Sequence, residues 1–298
     1  MTSTVKAHLA LIVSGILFGA NYWVAKGLMP GYMLPMQIIF VRGLASLILF
    51  WIVASFISDQ KIPRKDHVLL ALCGLFGIAI NQAFFFIGLN LTSPVDTALI
   101  HSGSPVIVLI FSAWLAGEKT GQSKIMGIAL GAVGAVLLVL QGNLSSGGGS
   151  HLLGNSLIFL NIVSYSLYLV LIKPLMARYN AFTIMKWVFL YGFIFVLPFC
   201  VTSVQIINFP AFNAYAWFAL VYIVIGTTFI TYLLTTISLK TVSAGIAGYY
   251  IYMQPVIAAL IGIVLFNERL TSAKMVAATL VFAGVYLVNR KKESKRGA

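Results

Sequence analysis

The stretch PVIVLIFSAWLAGEKTGQSKIMGIALGAVGAVLL runs from Pro105 to Leu138, and PVIAALIGIVLFNERLTSAKMVAATLVFAGVYLV runs from Pro255 to Val288. Laid over one another without gaps, the two share nine of 34 positions. Among them are the Pro-Val-Ile triplet, Glu118 with Glu268, Lys124 with Lys274, and Gly134 with Gly284, each pair 150 positions apart. Only six residues of 298 are acidic, so a glutamate recurring in register with its neighbours marks an internal duplication. Nearer the front of each half, KGLM at Lys26 is echoed by KPLM at Lys173, 147 positions on. The second copy has therefore gained three residues in between.

The duplicated unit is built for lipid. The chain is 60% hydrophobic and 8% charged, with a mean hydropathy of +1.01. Soluble domains carry about 25% charged residues, and a soluble core of this length could not hide so much apolar surface. A spanning helix needs about 20 mostly apolar residues. Ten windows qualify: 8–28, 34–57, 67–89, 94–116, 123–141, 152–173, 182–203, 212–235, 243–266 and 273–290. The Gly/Ser-rich stretch 142–151 lacks Lys, Arg, Asp and Glu and reads as a linker. It divides the windows five and five. Residues 1–141 then form one five-helix repeat, 152–290 the second, and 291–298 a basic tail. Five is odd, so two such copies face opposite ways across a bilayer. The expected fold is an all-α integral membrane protein of ten transmembrane helices, arranged as two inverted five-helix repeats. Secondary transporters have this architecture.

The net charge of +13 does not point to nucleic acid, because the basic residues sit in short loops and the tail. With the N-terminus inside, fifteen of nineteen Lys and Arg fall on the cytoplasmic side. Lys26, Arg269 and Lys274 fall outside, and Arg42 lies within the second window. The bias predicts both termini inside. The first apolar run resembles a signal peptide but is long and lacks an A-x-A-like site, so it reads as a retained helix. Cys73 and Cys200 lie within apolar runs and say little about redox compartment.

Candidate functional residues are the polar and breaking ones within the windows. Pro105 and Pro255 fall mid-window at equivalent places. Each removes a backbone bond and would free the carbonyl of His101 or Ile251, giving either paired hinges or static kinks. His101 is the one histidine deep in a window, as a substrate or proton group or as a structural imidazole. Arg42 would pair with Asp96 or with a substrate carboxylate; Asp96 itself would cap its helix. Asn21, Trp23, Asn81, Gln82, Tyr165, Tyr168, Tyr249 and Tyr252 lie too deep for an interfacial belt. They form cavity walls or packing between helices. Lys26 and Lys173 flank helix ends, where snorkelling accounts for them. Glu118 and Glu268 act as helix caps or as gate latches on opposite faces. Gly127, Gly131 and Gly134, with Ala277, Ala278 and Gly284, offer small-residue stripes for close packing of the two halves.

The motifs FGANYWVAK, VRG, SPVDTALIHSGSPV and GEK in the first half, and AGYYIYMQPVIAAL with NERL in the second, resemble those of EamA-type members of the drug/metabolite transporter superfamily. The resemblance covers nearly the whole chain. It implies a bacterial inner-membrane carrier, often an exporter of amino acids or related metabolites, working by alternating access around a central cavity. An aromatic-walled cavity with a few amides suits a small amphipathic molecule. An intramembrane enzyme is the rival reading, but no aspartate pair, zinc motif or activated serine is visible. A channel-like pore is another, but no filter motif is visible. No metal or cofactor is expected, and the partners are the small-molecule substrate and the bilayer. Fused halves make a monomer sufficient and leave a homodimer open.

Overall fold

The computed structural model describes residues 2–56, 60–92, 94–117, 121–140, 149–204, 207–266 and 272–289. Glu118, Glu268, positions 142–148 of the linker and the basic tail lie outside them. The first half comprises α1 (Ser3–Leu28), α2 (Pro35–Ser55), α3 (Arg64–Gly74), a π-helical turn (Leu75–Ala79), α4 (Ile80–Leu91), α5 (Pro94–His101), α6 (Ser104–Ala116) and α7 (Gln122–Leu140). The second comprises α8 (Gly149–Met176), α9 (Ala181–Val204), a 3₁₀ turn (Phe209–Ala211), α10 (Ala214–Val221), a π-helical segment (Tyr222–Ile230), α11 (Thr231–Ser238), α12 (Ala244–Tyr249), a 3₁₀ turn (Tyr250–Tyr252), α13 (Met253–Phe266) and α14 (Ser272–Asn289). Among the described residues, seven helices are long and apolar enough to cross a membrane. The protein is an all-helical integral membrane protein of two repeats.

The duplication survives in the coordinates almost residue for residue. α10, α12 and α14 begin 150 positions after α3, α5 and α7. Even the irregularities recur, because the two π segments occupy equivalent places. The packing is reciprocal as well: α1 lies against α11 and α13, while α8 lies against α4 and α6. The equivalent pairs α2 with α9 and α7 with α14 pack on each other. A pseudo-two-fold relation produces this pattern, with the self-pairing helices astride the axis.

Surface and interior are sorted as lipid requires. Phe56, Trp114, Phe199, Val264 and Leu265 are exposed, while Asn21, Arg42, Gln82, Asn161 and Thr231 are buried. The π segments carry backbone carbonyls that helical bonding leaves over, and these need partners in lipid. In the second repeat Thr228 and Thr231 donate five residues back to Ile223 and Gly226 at 2.7 and 2.8 Å. In the first repeat the partners come from the other half. Ser164 donates to the Phe76 carbonyl at 2.6 Å and Tyr232 to that of Gly77 at 2.7 Å. At the start of α3, Asp66 accepts from Arg178 at 2.7 Å and Tyr179 at 2.5 Å, pinning the α8–α9 turn. That bond raises the Tyr179 phenol above its ordinary pKa.

The prolines each sit just after a local irregularity in a helical run. Before Pro105, α5 ends at His101 and two residues of turn precede α6. Before Pro255, the 3₁₀ turn Tyr250–Tyr252 interrupts α-helical bonding within the helical run 244–266. Proline has no N–H to give the carbonyl four residues earlier, that of His101 or Ile251.

Candidate functional site

Where α-helical bonding breaks before Pro105 and Pro255, the bundle holds a small cavity of about 50 Å³. Phe18, Asn21 and Tyr22 reach it from α1, Arg42 from α2, and Asn81, Gln82 and Phe85 from α4. His101 and Ser104 flank the first break, and Ile251 and Gln254 the second. Asn161, Ile162 and Tyr165 come from α8 and Tyr232 from α11. Four pairs among these are repeat equivalents: Phe18 with Tyr165, Gln82 with Tyr232, His101 with Ile251, and Ser104 with Gln254. The cavity therefore lies on the pseudo-two-fold axis. Its outline is symmetric but its chemistry is not, because each polar group faces a different equivalent.

Most of the polar lining is held by partners. The Asn161 amide donates to the Asn81 carbonyl at 2.7 Å, and the Tyr232 hydroxyl lies 3.1 Å from Asn81 Oδ1. The Tyr22 hydroxyl donates to Gln254 Oε1 at 2.6 Å. His101 Nδ1 lies 2.9 Å from the Thr97 carbonyl, which can only accept, so Nδ1 carries a proton. Gln82 Nε2 and Oε1, Ser104 Oγ and Arg42 Nε differ in having no hydrogen-bond partner among the described residues. Of these Arg42 alone is charged; it is 4% exposed, and its guanidinium lies 4.8 Å from the Phe86 ring centroid.

Of the residues singled out from sequence, Asn21, Arg42, Asn81, Gln82, His101 and Tyr165 meet at this cavity. The others sit elsewhere. Trp23 donates to the Ala258 carbonyl at 3.1 Å. Tyr168 is fully buried behind Tyr165, 3.3 Å from the Thr236 hydroxyl. Tyr249 and Tyr252 point at α7 and α14, bonding the carbonyls of Gly127, Val281 and Ile128. Asp96 lies in the first turn of α5, and its side chain is outside the described part, as is any pairing with Arg42. Tyr22, Phe18, Asn161, Tyr232 and Gln254 join the site from the structure alone, while Phe85 and Ser104 stand close in sequence to Gln82 and His101. One signal was available: Ser104 and Gln254 are both polar, both precede a proline, and stand 150 apart.

Snorkelling does not describe the two repeated lysines. Lys26 Nζ donates to the carbonyls of Leu89, Asn90 and Thr92 at 2.9, 3.1 and 2.9 Å. These lie at the end of α4, whose last carbonyls have no helical partner. Lys173 Nζ donates to the Val242 carbonyl at 3.3 Å. Thr92 and Val242 are themselves 150 apart. Each lysine therefore ties the last part of one repeat's first helix to the turn that opens its own discontinuous helix. The negative end of the α4 dipole holds the Lys26 ammonium more firmly than the water–lipid boundary would.

A two-repeat helical membrane protein with a polar cavity on its repeat axis is the class this geometry defines. The EamA-like transporter family matches residues 5–140 and again 152–290, and the chain belongs to it. An uncharacterized transporter of Bacillus subtilis, YetK, is 24% identical over 254 residues, covering 84% of this chain and 76% of its own. A probable terminal-alkyne amino-acid exporter of Streptantibioticus cattleyicolor is 25% identical over 236 residues, covering 78% and 77%. A solved crystal structure, 21% identical and covering 96% of each chain, superposes with a TM-score of 0.73 and shares the fold.

Proposed function

We propose that this chain is a secondary transporter that exports a small amphipathic metabolite, such as an amino acid or a derivative, by alternating access across a bacterial inner membrane. The observation that carries the reading is the cavity built from repeat-equivalent positions beside two broken helices. Broken helices with sites at the repeat interface are the transporter pattern. The amino-acid exporter among the relatives supports the substrate class. In this reading the ten helical rods all span, the repeats are inverted, and both termini are inside. The breaks before Pro105 and Pro255 are the hinges, and Glu118 and Glu268 remain gate or cap candidates. Saturable counterflow of radiolabelled amino acids in proteoliposomes tests it; flux without saturation or counterflow would instead mean a channel.

Two predictions arise here. A reporter fused after Gly148 should report the outside, whereas an intracellular signal there would remove the inverted arrangement. His101→Ala and Asn81→Ala should each cut transport to below about a tenth at unchanged expression, since a buried polar group at a polar site is worth about 1–3 kcal/mol. Parental rates in both variants would move the site away from this cavity.

A further inference from the structure

Arg42 is the feature the transport reading leaves unexplained. A guanidinium within a membrane bundle is expensive unless something neutralises it. Its contact with the Phe86 face is a partial compensation. Among the described residues no carboxylate pairs with it, and its Nε stays unpartnered although the side chain is 4% exposed. None of the described residues around the cavity is acidic. Among them nothing would neutralise an ammonium, whereas neutral polar groups such as Asn21 and Ser104 line the same cavity as Arg42.

We infer that the cavity takes an organic monocarboxylate anion, its carboxylate on Arg42 and its aromatic or branched apolar body against Phe18, Phe85 and Tyr165. Among the described residues nothing cancels the Arg42 charge, and a bound monoanion would. A bidentate guanidinium–carboxylate pair also fits Arg better than Lys. A zwitterion supplies the carboxylate but brings an ammonium that must be stripped of water with no anion to receive it. An amine brings repulsion alone. The inference rests on the transport reading in making the bound anion the cargo, and it narrows the substrate class given there from amino acids to derivatives that carry no charged amine.

The test uses four probes on one scaffold: 3-phenylpropionate, phenylalanine, 3-phenylpropanamide and 2-phenylethylamine. Binding to the purified full chain in nanodiscs is followed by calorimetry. The carboxylate should bind at least about thirtyfold tighter than the amide or the amine, and tighter than the zwitterion, as loss of a buried charge partner implies. Arg42→Gln should erase that preference, while Arg42→Lys keeps its direction. In the unmodified protein, 3-phenylpropionate should protect Arg42 from phenylglyoxal, read by peptide mass spectrometry, so the inference does not depend on either variant folding. The amine or zwitterion binding as well as the carboxylate, no measurable binding of the carboxylate, or no protection of Arg42 would each overturn it. Binding of 3-phenylpropionate with no saturable counterflow of it or of any amino acid in proteoliposomes sinks the transport reading and leaves this inference standing. Saturable flux of the amine does the reverse.

Discussion

Gly284→Leu is expected to abolish recovery of folded, monodisperse protein. A β-carbon built at Gly284 would lie 2.5 Å from the Gly127 carbonyl oxygen and 2.8 Å from the Gly131 nitrogen, and would also strike the Tyr249 hydroxyl. Two of those obstacles are backbone of α7, so no rotamer change relieves them. Overpacking of an ordinary core costs about 1–3 kcal/mol. Here the added volume must part α14 from α7, the most extensive contact between the repeats. Between membrane helices that contact is largely van der Waals packing of close backbones, so separation forfeits most of it. Gly284→Ala should already lower the midpoint of thermal unfolding in detergent. Ala283→Leu, at an exposed neighbouring position, should change neither yield nor midpoint. Equal yields of Gly284→Leu and Ala283→Leu would show that the two helices do not meet as described.

The close approach behind that result was legible in sequence, because Gly127 and Gly131 in one half and Gly284 in the other read as small-residue stripes for close packing. The repeat was legible too: proline, glutamate, lysine and glycine kept their spacing while apolar residues drifted freely against lipid. Backbone irregularity was not legible. A π turn at Leu75–Ala79 and a 3₁₀ turn at Tyr250–Tyr252 leave hydropathy unchanged, yet they rotate everything after them. Three residues at 120° per residue instead of 100° turn the following face by about 60°. Helical spacing counted through such a turn no longer tells which side faces the cavity. Depth alone misplaces residues too: Tyr249 and Tyr252, assigned to that wall by depth, instead seal α7 against α14. Tyr232 lies beyond the second π segment and does reach it. For the charged residues sequence gave depth but not partner. Lys26 at a helix end could equally rise to the interface or turn back onto carbonyls, and only the position of the α4 terminus decides.

Lys26→Met and Lys173→Met are expected to bias the protein toward opposite open states. Both lysines tie down the turn that opens a discontinuous helix, one before α5 and the other before α12. In the proposed inverted arrangement the first tether lies on the outer face and the second on the inner. Methionine keeps the apolar stem and removes the charge, so packing changes little. Hydrogen bonds to a charged group contribute about 1.5–3 kcal/mol. Loss of the three-carbonyl tether at Lys26 should therefore shift the equilibrium by at least about tenfold toward the outward-open state. Lys173→Met, which removes the bond to the Val242 carbonyl, should shift it toward the inward-open state. A cysteine at Ile251, beside the second break, in a chain with Cys73 and Cys200 replaced, reports the state. Its labelling by an impermeant thiol reagent should rise in intact cells for Lys26→Met and in inside-out vesicles for Lys173→Met. Turnover should fall in both, because either bias slows one half of the cycle. If labelling moves in the same direction in the two variants, the tethers are not on opposite faces; if it does not move at all, they hold the fold together without taking part in access.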